Sequence, residues 1–373
     1  MAPLSSRAIF LYFVISNFHL NILSHSIGVN YGRIANNIPV PSAVVNLLKT
    51  KYIDRVKIFD ADGDVLDAFA NSDIEIVIGI GNENIQAMTD VKQAENWIRK
   101  NVVPYIPQTK ITGIMVGNEV LGGSDLQMAA NLGPAMTSVR TALRNIGLDG
   151  LMYVSSAHAL GVLGTSFPPS AGEFRQDLVQ YLLPILQYHG ETDSPFMINA
   201  YPFFAYNSDP QHIPLDYALF DAYPGVLDTN TNLKYTGMLF AQIDAVYAAI
   251  QRVGHTGIKV VVSETGWPSM GDEDEPGATP ENAGLYNGNL MRLAQGTKGT
   301  PGNPDFPLDI YIFALFNENL KPGKTSERHF GLLKADGISS YALVNSSFRI
   351  IVPSLFSISL IALVFMLLLR LVP

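Results

Sequence analysis

Short runs of β-branched and apolar residues alternate with longer amphipathic stretches between residues 27 and 344. The apolar runs are continuous, which is typical of strands that are covered on both faces of a parallel sheet. They predict eight strands: Ile27–Gly32, Arg55–Asp62, Ile74–Ile80, Ile111–Glu119, Leu151–Ala157, Phe196–Phe204, Lys259–Gly266 and Asp309–Glu318. The amphipathic stretches predict helices over Pro41–Thr50, Val91–Lys100, Gln127–Asn145, Met238–Val253 and Pro280–Ala294.

Strands that alternate with helices in this way predict an α/β protein with a parallel sheet. Eight such units in one domain spanning residues 27–344 favour a (β/α)8 barrel, also called a TIM barrel. An open, doubly wound sheet is the alternative. The first predicted strand is not followed by a G-x-G-x-x-G turn, so a dinucleotide-binding fold lacks its usual signature.

Polar side chains gather where the predicted strands end. The fourth, sixth, seventh and eighth strands end near a glutamate or a tyrosine, and the first ends in an asparagine and a tyrosine; these residues are Asn118, Glu119, Tyr201, Glu264, Asn317, Glu318, Asn30 and Tyr31. In a (β/α)8 barrel the carboxyl ends of the strands form the catalytic face. A buried glutamate without a partner would cost several kcal/mol, so this clustering indicates a shared cleft.

Glu119 and Glu264 are candidates for a pair of carboxyl groups that hydrolyses a glycosidic bond. In such a pair one carboxyl group protonates the leaving oxygen, while the other attacks the sugar or activates water. Each negative charge raises the proton affinity of its neighbour, so one group can stay protonated while the other is ionised. A retaining enzyme would place the two about 5 Å apart. The alternative is that both glutamates pair with arginines at the barrel end as structural carboxylates.

Four segments of the chain resemble the plant endo-1,3-β-glucanases of glycoside hydrolase family 17: IGVNYGRIANNIP, GIMVGNEVL, VVVSETGWPS and FALFNENLKPG with the nearby SERHFGLL. The resemblance extends from Ile27 to Leu343. It implies a (β/α)8 barrel that hydrolyses 1,3-β-glucans such as callose with retention of the anomeric configuration. It further implies that Glu119 is the general acid/base and Glu264 the nucleophile.

The same resemblance suggests substrate-binding residues. Glu318 and Lys321 match a carboxylate and a lysine that support the family's cleft, and Tyr31 and Tyr201 match tyrosines near the reacting sugar. The amide of Asn118 is placed to bind a sugar hydroxyl beside the reacting carbon.

Several of these residues also have structural interpretations. Glu318 could instead be an ion-pair partner of Lys321 or Arg328, and Trp267 is either a stacking platform for a sugar or a packing residue. The aromatic residues Phe203, Phe204 and Tyr206 are candidates for the cleft lining or for the core. For His158 a structural role is favoured, and the acidic segment Asp272–Glu275 is expected to be a solvated loop.

The formal net charge of −9 and the absence of a basic run argue against nucleic acid, or an anionic membrane surface, as the main partner. The chain has no cysteine, which excludes disulfides, thiolate metal sites and cysteine nucleophiles. We therefore expect a monomer that acts on a 1,3-β-glucan polysaccharide without a cofactor or a metal.

Both ends of the chain resemble targeting segments. Arg7 precedes a short apolar stretch and then small polar residues, which favours a cleaved secretory signal over residues 1–26 rather than a membrane anchor. The apolar tail within residues 345–373 favours a glycosylphosphatidylinositol (GPI) attachment signal, with Asn345 or Ser346 as the attachment site, over a transmembrane tail anchor. Asn345 also begins the sequence Asn-Ser-Ser, an N-glycosylation acceptor. These features predict a secreted protein held at the outer leaflet of the plasma membrane, next to the cell wall.

Two other functions remain open on the sequence alone. One is a transglycosylase that acts on the same glucans and uses a sugar hydroxyl instead of water. The other is a glucan-binding protein of the cell wall that no longer cuts its ligand, although both glutamates argue against it.

Overall fold

The computed structural model describes residues 27–344, and within them eight parallel strands close into a barrel in chain order. The strands are β1 Gly28–Asn30, β2 Arg55–Lys57, β3 Glu75–Ile80, β4 Lys110–Asn118, β5 Tyr153–Ala159, β6 Phe196–Asn199, β7 Val260–Thr265 and β8 Ile310–Ile312. β8 pairs with β1 and completes the ring. The (β/α)8 barrel predicted from the sequence is confirmed, and the open sheet is excluded.

Ten α-helices surround this barrel or lie at its carboxyl end among the described residues. They are α1 Pro41–Thr50, α2 Gly63–Ala68, α3 Ile85–Met88, α4 Val91–Asn101, α5 Leu126–Asn145, α6 Val179–Thr192, α7 Pro202–Ser208, α8 Leu215–Leu219, α9 Met238–Arg252 and α10 Pro280–Ala294. Short 3₁₀ turns occur at Asn82–Asn84, Val120–Gly122, Leu160–Val162, Pro169–Ala171 and Thr325–Arg328. The five predicted helices are α1, α4, α5, α9 and α10, and each agrees with the structure to within one residue at either end.

Local chemistry explains where several of the helices begin. Asp90 and Asp125 precede α4 and α5, and their carboxylates accept hydrogen bonds from backbone N–H groups of the first turn. Thr279 does the same for α10, which has Pro280 in its first turn. These caps satisfy N–H groups that have no partner inside the helix.

The predicted sixth strand is too long. β6 ends at Asn199, and Pro202, Phe203 and Phe204 belong to helix α7. The apolar run continues through both elements because Pro202 and Phe203 at the start of α7 are buried like the strand. Proline is well tolerated at the start of a helix, where its missing N–H group is not needed.

Side chains from the strands fill the interior of the barrel below the catalytic face. Val77, Met115, Met197, Val261 and Tyr311 are buried there in one cluster. At the amino ends of the strands, Asp309 forms ion pairs with Arg55 at 2.7 Å and with Lys259 at 2.5 Å. The barrel is therefore a packed core that is closed at one end, and only the carboxyl end is open for a ligand.

Within residues 27–344 the structure contains no helix that combines the length and the hydrophobicity needed to cross a membrane. The predicted secretory signal in residues 1–26 and the predicted anchor signal in residues 345–373 lie outside the described residues. The same holds for the proposed attachment sites Asn345 and Ser346.

Candidate active site

A cleft of about 630 Å³ lies at the carboxyl end of the barrel. It brings together all the predicted catalytic and substrate-binding residues except Trp267, namely Tyr31, Asn118, Glu119, Tyr201, Glu264, Glu318 and Lys321. Residues as far apart in the chain as Tyr31 and Lys321 thus face one cavity, because the strand ends of a barrel converge.

Glu264 lies near the end of β7, where the strand departs from regular pairing. Val262 is paired with Ile198, but the next registered pair is Glu264 with Asn199, so β7 carries an extra residue between them. Such a bulge turns the side chain that follows it and is common beside active sites. Gly266 is the first residue after β7, and a Cβ atom at that position would collide with the carbonyl oxygen of Phe313. The glycine is needed for this close approach.

The buried carboxylate of Glu264 has two partners. Oε1 accepts a hydrogen bond from Lys57 Nζ at 2.7 Å, and Oε2 accepts one from the Tyr201 hydroxyl at 3.0 Å. Lys57 is only 1 % exposed, and its Nζ also lies 4.5 Å from the centre of the Phe59 ring. An ammonium group this deeply buried requires a counterion, which here is Glu264.

Glu119 follows β4 directly and has a left-handed backbone conformation with φ of 54°. This conformation is unfavourable for a residue other than glycine by roughly 1–2 kcal/mol, and such residues concentrate at functional sites. Glu119 Oε1 accepts a hydrogen bond from Asn199 Nδ2 at 2.8 Å. Among the described residues Glu119 forms no ion pair, whereas Glu264 pairs with a lysine and not with an arginine.

The two carboxyl groups therefore have different electrostatic environments. Burial raises the pKa of Glu119 above its usual value; the negative charge of Glu264 raises it further, and the hydrogen bond from Asn199 partly offsets both. Burial and the nearby Glu264 also raise the pKa of Tyr201 well above its usual value, so its hydroxyl remains a donor. The arrangement suits one carboxyl group that gives up a proton and one that stays ionised.

Glu318 and Lys321 also line the cleft. Glu318 accepts a hydrogen bond from the backbone N–H of Ile34 at 2.8 Å, and a Cβ atom on Gly32 would collide with its carboxylate. Burial raises the pKa of Glu318. Lys321 pairs with Glu327 at 3.1 Å and lies over the ring of Phe313. Glu318 is thus held by the backbone and not by an ion pair with Lys321 or Arg328.

Tyr31 and Asn118 are fixed mainly through their backbones. The Tyr31 N–H donates to the carbonyl oxygen of Lys57, and burial raises the pKa of the Tyr31 hydroxyl to about 12. Asn118 exchanges two hydrogen bonds with the side chain of Asn82, of 2.7 and 3.0 Å. These bonds hold the backbone of Asn118 beside Glu119, and the carboxamide oxygen of Asn118 accepts a longer hydrogen bond from Asn199 Nδ2 at 3.4 Å.

Trp267 does not lie in the cleft, in contrast to its predicted role in substrate binding. Its side chain is 0 % exposed and packs on Phe203 and Tyr286, while its indole N–H donates to the carbonyl oxygen of Gly277. The packing interpretation is therefore correct, since a sugar ring cannot reach a fully enclosed indole. Phe203 belongs to the same core cluster.

Of the three aromatic candidates Phe203, Phe204 and Tyr206, Phe204 faces the cleft, with 42 % of its surface exposed. Tyr206 packs against Trp267 and does not line the cavity. His158 is fully buried on β5, and its ring stacks on Phe196 with the ring centres 4.8 Å apart. This position agrees with the structural role favoured for that histidine.

The acidic segment Asp272–Glu275 is not a freely solvated loop. Glu275 is buried and accepts hydrogen bonds from the Ser326 hydroxyl at 2.6 Å and from the backbone N–H of Asp272. Asp274 pairs with Lys324. The segment connects the loop after β7 to the loop after β8, a function that charge alone does not reveal.

Sequence reasoning missed Lys57, Asn199 and Ser263, whose side chains contact the two glutamates or each other. Lys57 did carry a weak signal, because it stands between Val56 and Ile58 in a predicted strand that should be covered on both faces. The roles of Asn199 and Ser263 depend on which strand ends face each other, and the chain order alone does not show this. Within residues 27–344 the structure shows no group of three or more His, Asp or Glu side chains that could hold a metal ion.

Comparisons with known proteins agree with this geometry. Residues 27–344 match the model of glycosyl hydrolases family 17. The chain is 53 % identical over 321 residues to glucan endo-1,3-beta-glucosidase 14 of Arabidopsis thaliana, which covers 86 % of this chain and 82 % of that protein. It is 52 % identical over 320 residues to glucan endo-1,3-beta-glucosidase 11 of the same plant, covering 85 % and 75 % of the two chains.

A solved structure is similar over nearly the same region. CJP38, a β-1,3-glucanase and pollen allergen of Cryptomeria japonica, superposes with a TM-score of 0.83 at 43 % identity and covers 87 % of this chain and 100 % of its own. The match with the family model spans all the residues that the structure describes. The chain therefore belongs to family 17 of the glycosyl hydrolases.

Proposed function

We propose that this enzyme hydrolyses internal linkages of 1,3-β-glucans of the callose type and retains the anomeric configuration. The observation that carries the proposal is the electrostatic contrast between the two glutamates of one cleft. Glu119 has a raised pKa and no cationic partner among the described residues, whereas Glu264 is ion-paired to the buried Lys57. The two Arabidopsis relatives are glucan endo-1,3-β-glucosidases, and this similarity indicates the substrate class.

In the first step of the proposed mechanism, the Glu264 carboxylate attacks the anomeric carbon and forms a glycosyl ester. Glu119 gives its proton to the departing glycosidic oxygen, so the leaving chain departs as a neutral alcohol. Burial helps this step because it keeps Glu119 protonated to a higher pH than a solvated glutamate.

In the second step the Glu119 carboxylate removes a proton from water, which attacks the same carbon and breaks the ester. Two inversions restore the β configuration. Lys57 assists this step electrostatically, because its buried charge loses its counterion in the ester and regains it when Glu264 departs as a carboxylate. The Tyr201 hydroxyl donates to the other oxygen of the same carboxylate.

Glu119→Ala and Glu264→Ala variants test these two roles. With an aryl β-glucoside oligomer and added azide, we expect Glu264→Ala to give the α-glycosyl azide, since azide then replaces the missing nucleophile. We expect Glu119→Ala to give the β-glycosyl azide, because azide attacks the ester in place of water. If the two variants gave each other's glycosyl azide, the roles of Glu119 and Glu264 would be reversed. If the wild type hydrolysed its substrate with inversion, Glu264 would not be a nucleophile.

Product analysis of the wild type tests the reaction and the substrate. On laminarin-type oligosaccharides we expect only shorter products, and internal cleavage should release a ladder of sizes. Lengthened products would identify a transglycosylase instead. If the wild type and Glu264→Ala released equal amounts of reducing sugar, both enzymatic functions would be excluded and glucan binding would be the remaining function.

We further propose that the enzyme acts at the outer surface of the plasma membrane, held there by a GPI anchor. The apolar stretches at the two ends of the chain support this location. If the anchor is present, a phospholipase specific for phosphatidylinositol releases active enzyme from membranes of expressing plant cells. Retention of the enzyme in the membrane after complete release of a known GPI-anchored marker would favour a spanning tail.

A further inference from the structure

The side chain of Asn199 connects the acid/base of the proposed reaction to the strand that carries the nucleophile. Asn199 lies at the end of β6, between β5 and β7, and is almost fully buried. Its Nδ2 donates to Glu119 Oε1 at 2.8 Å, and its Oδ1 accepts a hydrogen bond from Ser263 Oγ at 2.6 Å. Ser263 directly precedes Glu264 in β7.

The Ser263 hydroxyl orients the Asn199 amide. A carboxamide can place either its oxygen or its nitrogen toward Glu119, and the two orientations differ by a rotation of about 180°. The nitrogen must face Glu119 to stabilise its carboxylate, because the amide oxygen would repel that charge. In the observed orientation Nδ2 faces two acceptor oxygens, Glu119 Oε1 and, at 3.4 Å, Asn118 Oδ1, while Oδ1 accepts the hydrogen bond from Ser263. All three contacts favour the productive orientation.

We propose that Asn199 and Ser263 form a positioning relay that orients the carboxyl group of Glu119 from the strand of Glu264. The inference rests on the proposed function, because it assigns the two residues a role toward the acid/base of that reaction. Neither residue lines the cleft, so both act through Glu119 and not on the substrate.

Two consequences separate this relay from a purely structural role. The hydrogen bond from Asn199 lowers the pKa of Glu119, so its loss should raise that pKa and move the alkaline limb of kcat/KM to higher pH. The relay should also matter less for a substrate whose leaving group needs no proton. For 2,4-dinitrophenyl laminaribioside, kcat/KM reports a first step that does not depend on a general acid.

The experiment compares Ser263→Ala, Ser263→Cys and Asn199→Ala with the wild type on laminari-oligosaccharides and on 2,4-dinitrophenyl laminaribioside. Cysteine keeps approximately the volume of serine but is a weak hydrogen-bond donor, so Ser263→Cys guards against a packing defect. Ser155→Ala is the matched control. Ser155 is an equally buried serine on β5, and its hydroxyl donates to the carbonyl oxygen of Pro195 and not to the site.

We expect kcat/KM for the natural linkage to fall about tenfold or more in Asn199→Ala, which loses the hydrogen bond to Glu119. The two Ser263 variants keep Asn199 and lose only the hydrogen bond to its Oδ1, so they should show a smaller fall in the same direction. The alkaline limb should move up by as much as about one pH unit. For the dinitrophenyl substrate kcat/KM should stay within about twofold of the wild type. The ratio between the two substrates, measured on one preparation, is independent of the fraction of folded enzyme, so a stability loss cannot mimic the effect.

Equal losses on both substrates, or an alkaline limb that does not move, would overturn the relay. The same holds if Ser155→Ala changes the substrate ratio as much as Ser263→Ala does. A wild type that cleaves neither substrate would instead overturn the proposed function. The two failures are therefore distinguishable.

Discussion

At the scale of single residues, one buried ammonium group distinguishes the two glutamates. Lys57 lies 2.7 Å from Glu264, while Glu119 receives a hydrogen bond from an uncharged amide. Both glutamates are largely buried, but among the described residues only Glu264 is ion-paired with a cationic side chain. The catalytic assignment thus depends as much on Lys57 and Asn199 as on the carboxylates themselves.

Replacement of Lys57 by methionine should damage both stability and catalysis. The substitution leaves the buried Glu264 carboxylate without its counterion, which costs about 3–5 kcal/mol of unfolding free energy at neutral pH. The loss of a cation beside the departing carboxylate should lower kcat by about 10²-fold or more. Chemical denaturation and steady-state kinetics on laminarin measure the two effects.

Lys259→Met is the matched control, because Lys259 pairs with Asp309 at the other end of the barrel and is about half exposed. We expect it to leave kcat within about twofold of the wild type and to cost less than about 1 kcal/mol. If Lys57→Met retained wild-type kcat, the electrostatic role of Lys57 would be wrong.

The sequence identifies the carboxylates of the site better than their partners. Glu119 and Glu264 stand out because each ends an apolar strand, a signal that survives without any tertiary information. The contact between Lys57 on β2 and Glu264 on β7 spans the mouth of the barrel and depends on side-chain reach. Trp267 shows the opposite error, since an aromatic residue next to a catalytic strand can face the core as readily as the cleft.

At the scale of elements, the loops after β7 and β8 are locked together beside the cleft. Glu275 in the first loop accepts hydrogen bonds from the Ser326 hydroxyl and from the backbone N–H of Asp272. The second loop carries Lys321 and Glu327, which line the cleft. A buried carboxylate with several donors therefore fixes the wall on which these two residues sit.

Glu275→Ala should loosen that wall. The substitution leaves Ser326 without its partner and opens a small cavity, so we expect a loss of about 2–3 kcal/mol in unfolding free energy. KM for laminari-oligosaccharides should rise several-fold, while kcat should change less. Lys324→Ala, which breaks the exposed pair with Asp274, is the control and should cost about 0.5 kcal/mol or less. If KM were unchanged in Glu275→Ala, the hydrogen bonds of Glu275 between the two loops would have no role in substrate binding.

Two buried histidines, His158 on β5 and His189 on α6, make the stability of the protein depend on pH. Burial lowers the pKa of His158 to about 4 and, together with the neighbouring His158, that of His189 to about 3. An unfolded histidine has a pKa near 6.5, so the unfolded state binds more protons below that pH. Each of these histidines therefore reduces stability as the pH falls from about 6.5 toward its folded pKa.

His158→Phe should reduce this acid sensitivity, because phenylalanine can stack on Phe196 but does not titrate. Between pH 7 and pH 4.5 the wild type should lose about 2 kcal/mol more unfolding free energy than the variant. Denaturant unfolding at the two pH values measures the difference. The exposed His212→Phe should show the wild-type pH dependence. Parallel pH curves for His158→Phe and the wild type would contradict the prediction.

The elements that build the barrel could be predicted from the sequence, whereas short elements within the loops could not. β7 begins with a run of apolar residues, and the start of α10 is marked by the capping Thr279 before Pro280. The hairpin of Leu163–Thr165 with Glu173–Phe174 has strands of three and two residues, too short for any periodicity to show. Its position in the loop after β5 depends on tertiary packing against α9.

At the scale of the whole molecule, the two ends of the barrel have different tasks. The carboxyl ends hold Glu119 and Glu264, and the amino ends hold the ion pairs of Asp309 with Arg55 and Lys259. Between them lies a layer of packed side chains that includes Met115 and Met197. A perturbation of the amino-terminal end must pass through this layer before it can change the geometry of the cleft.

Asp309→Asn tests this separation, because the substitution removes a charge at the amino-terminal end with almost no change of shape. Burial would raise the pKa of Asp309, but Arg55 and Lys259 hold it below its usual value. The stabilisation from this carboxylate is therefore present above pH 4 and is lost as the pH falls through the lowered pKa.

At pH 7 we expect Asp309→Asn to lower the unfolding free energy by about 1–3 kcal/mol, and the difference from the wild type should shrink in acid. The value of kcat/KM per folded enzyme should stay within about twofold of the wild type at 25 °C, since the packed layer isolates the cleft. A large fall in kcat/KM without a matching loss of stability would show that the two ends of the barrel are coupled.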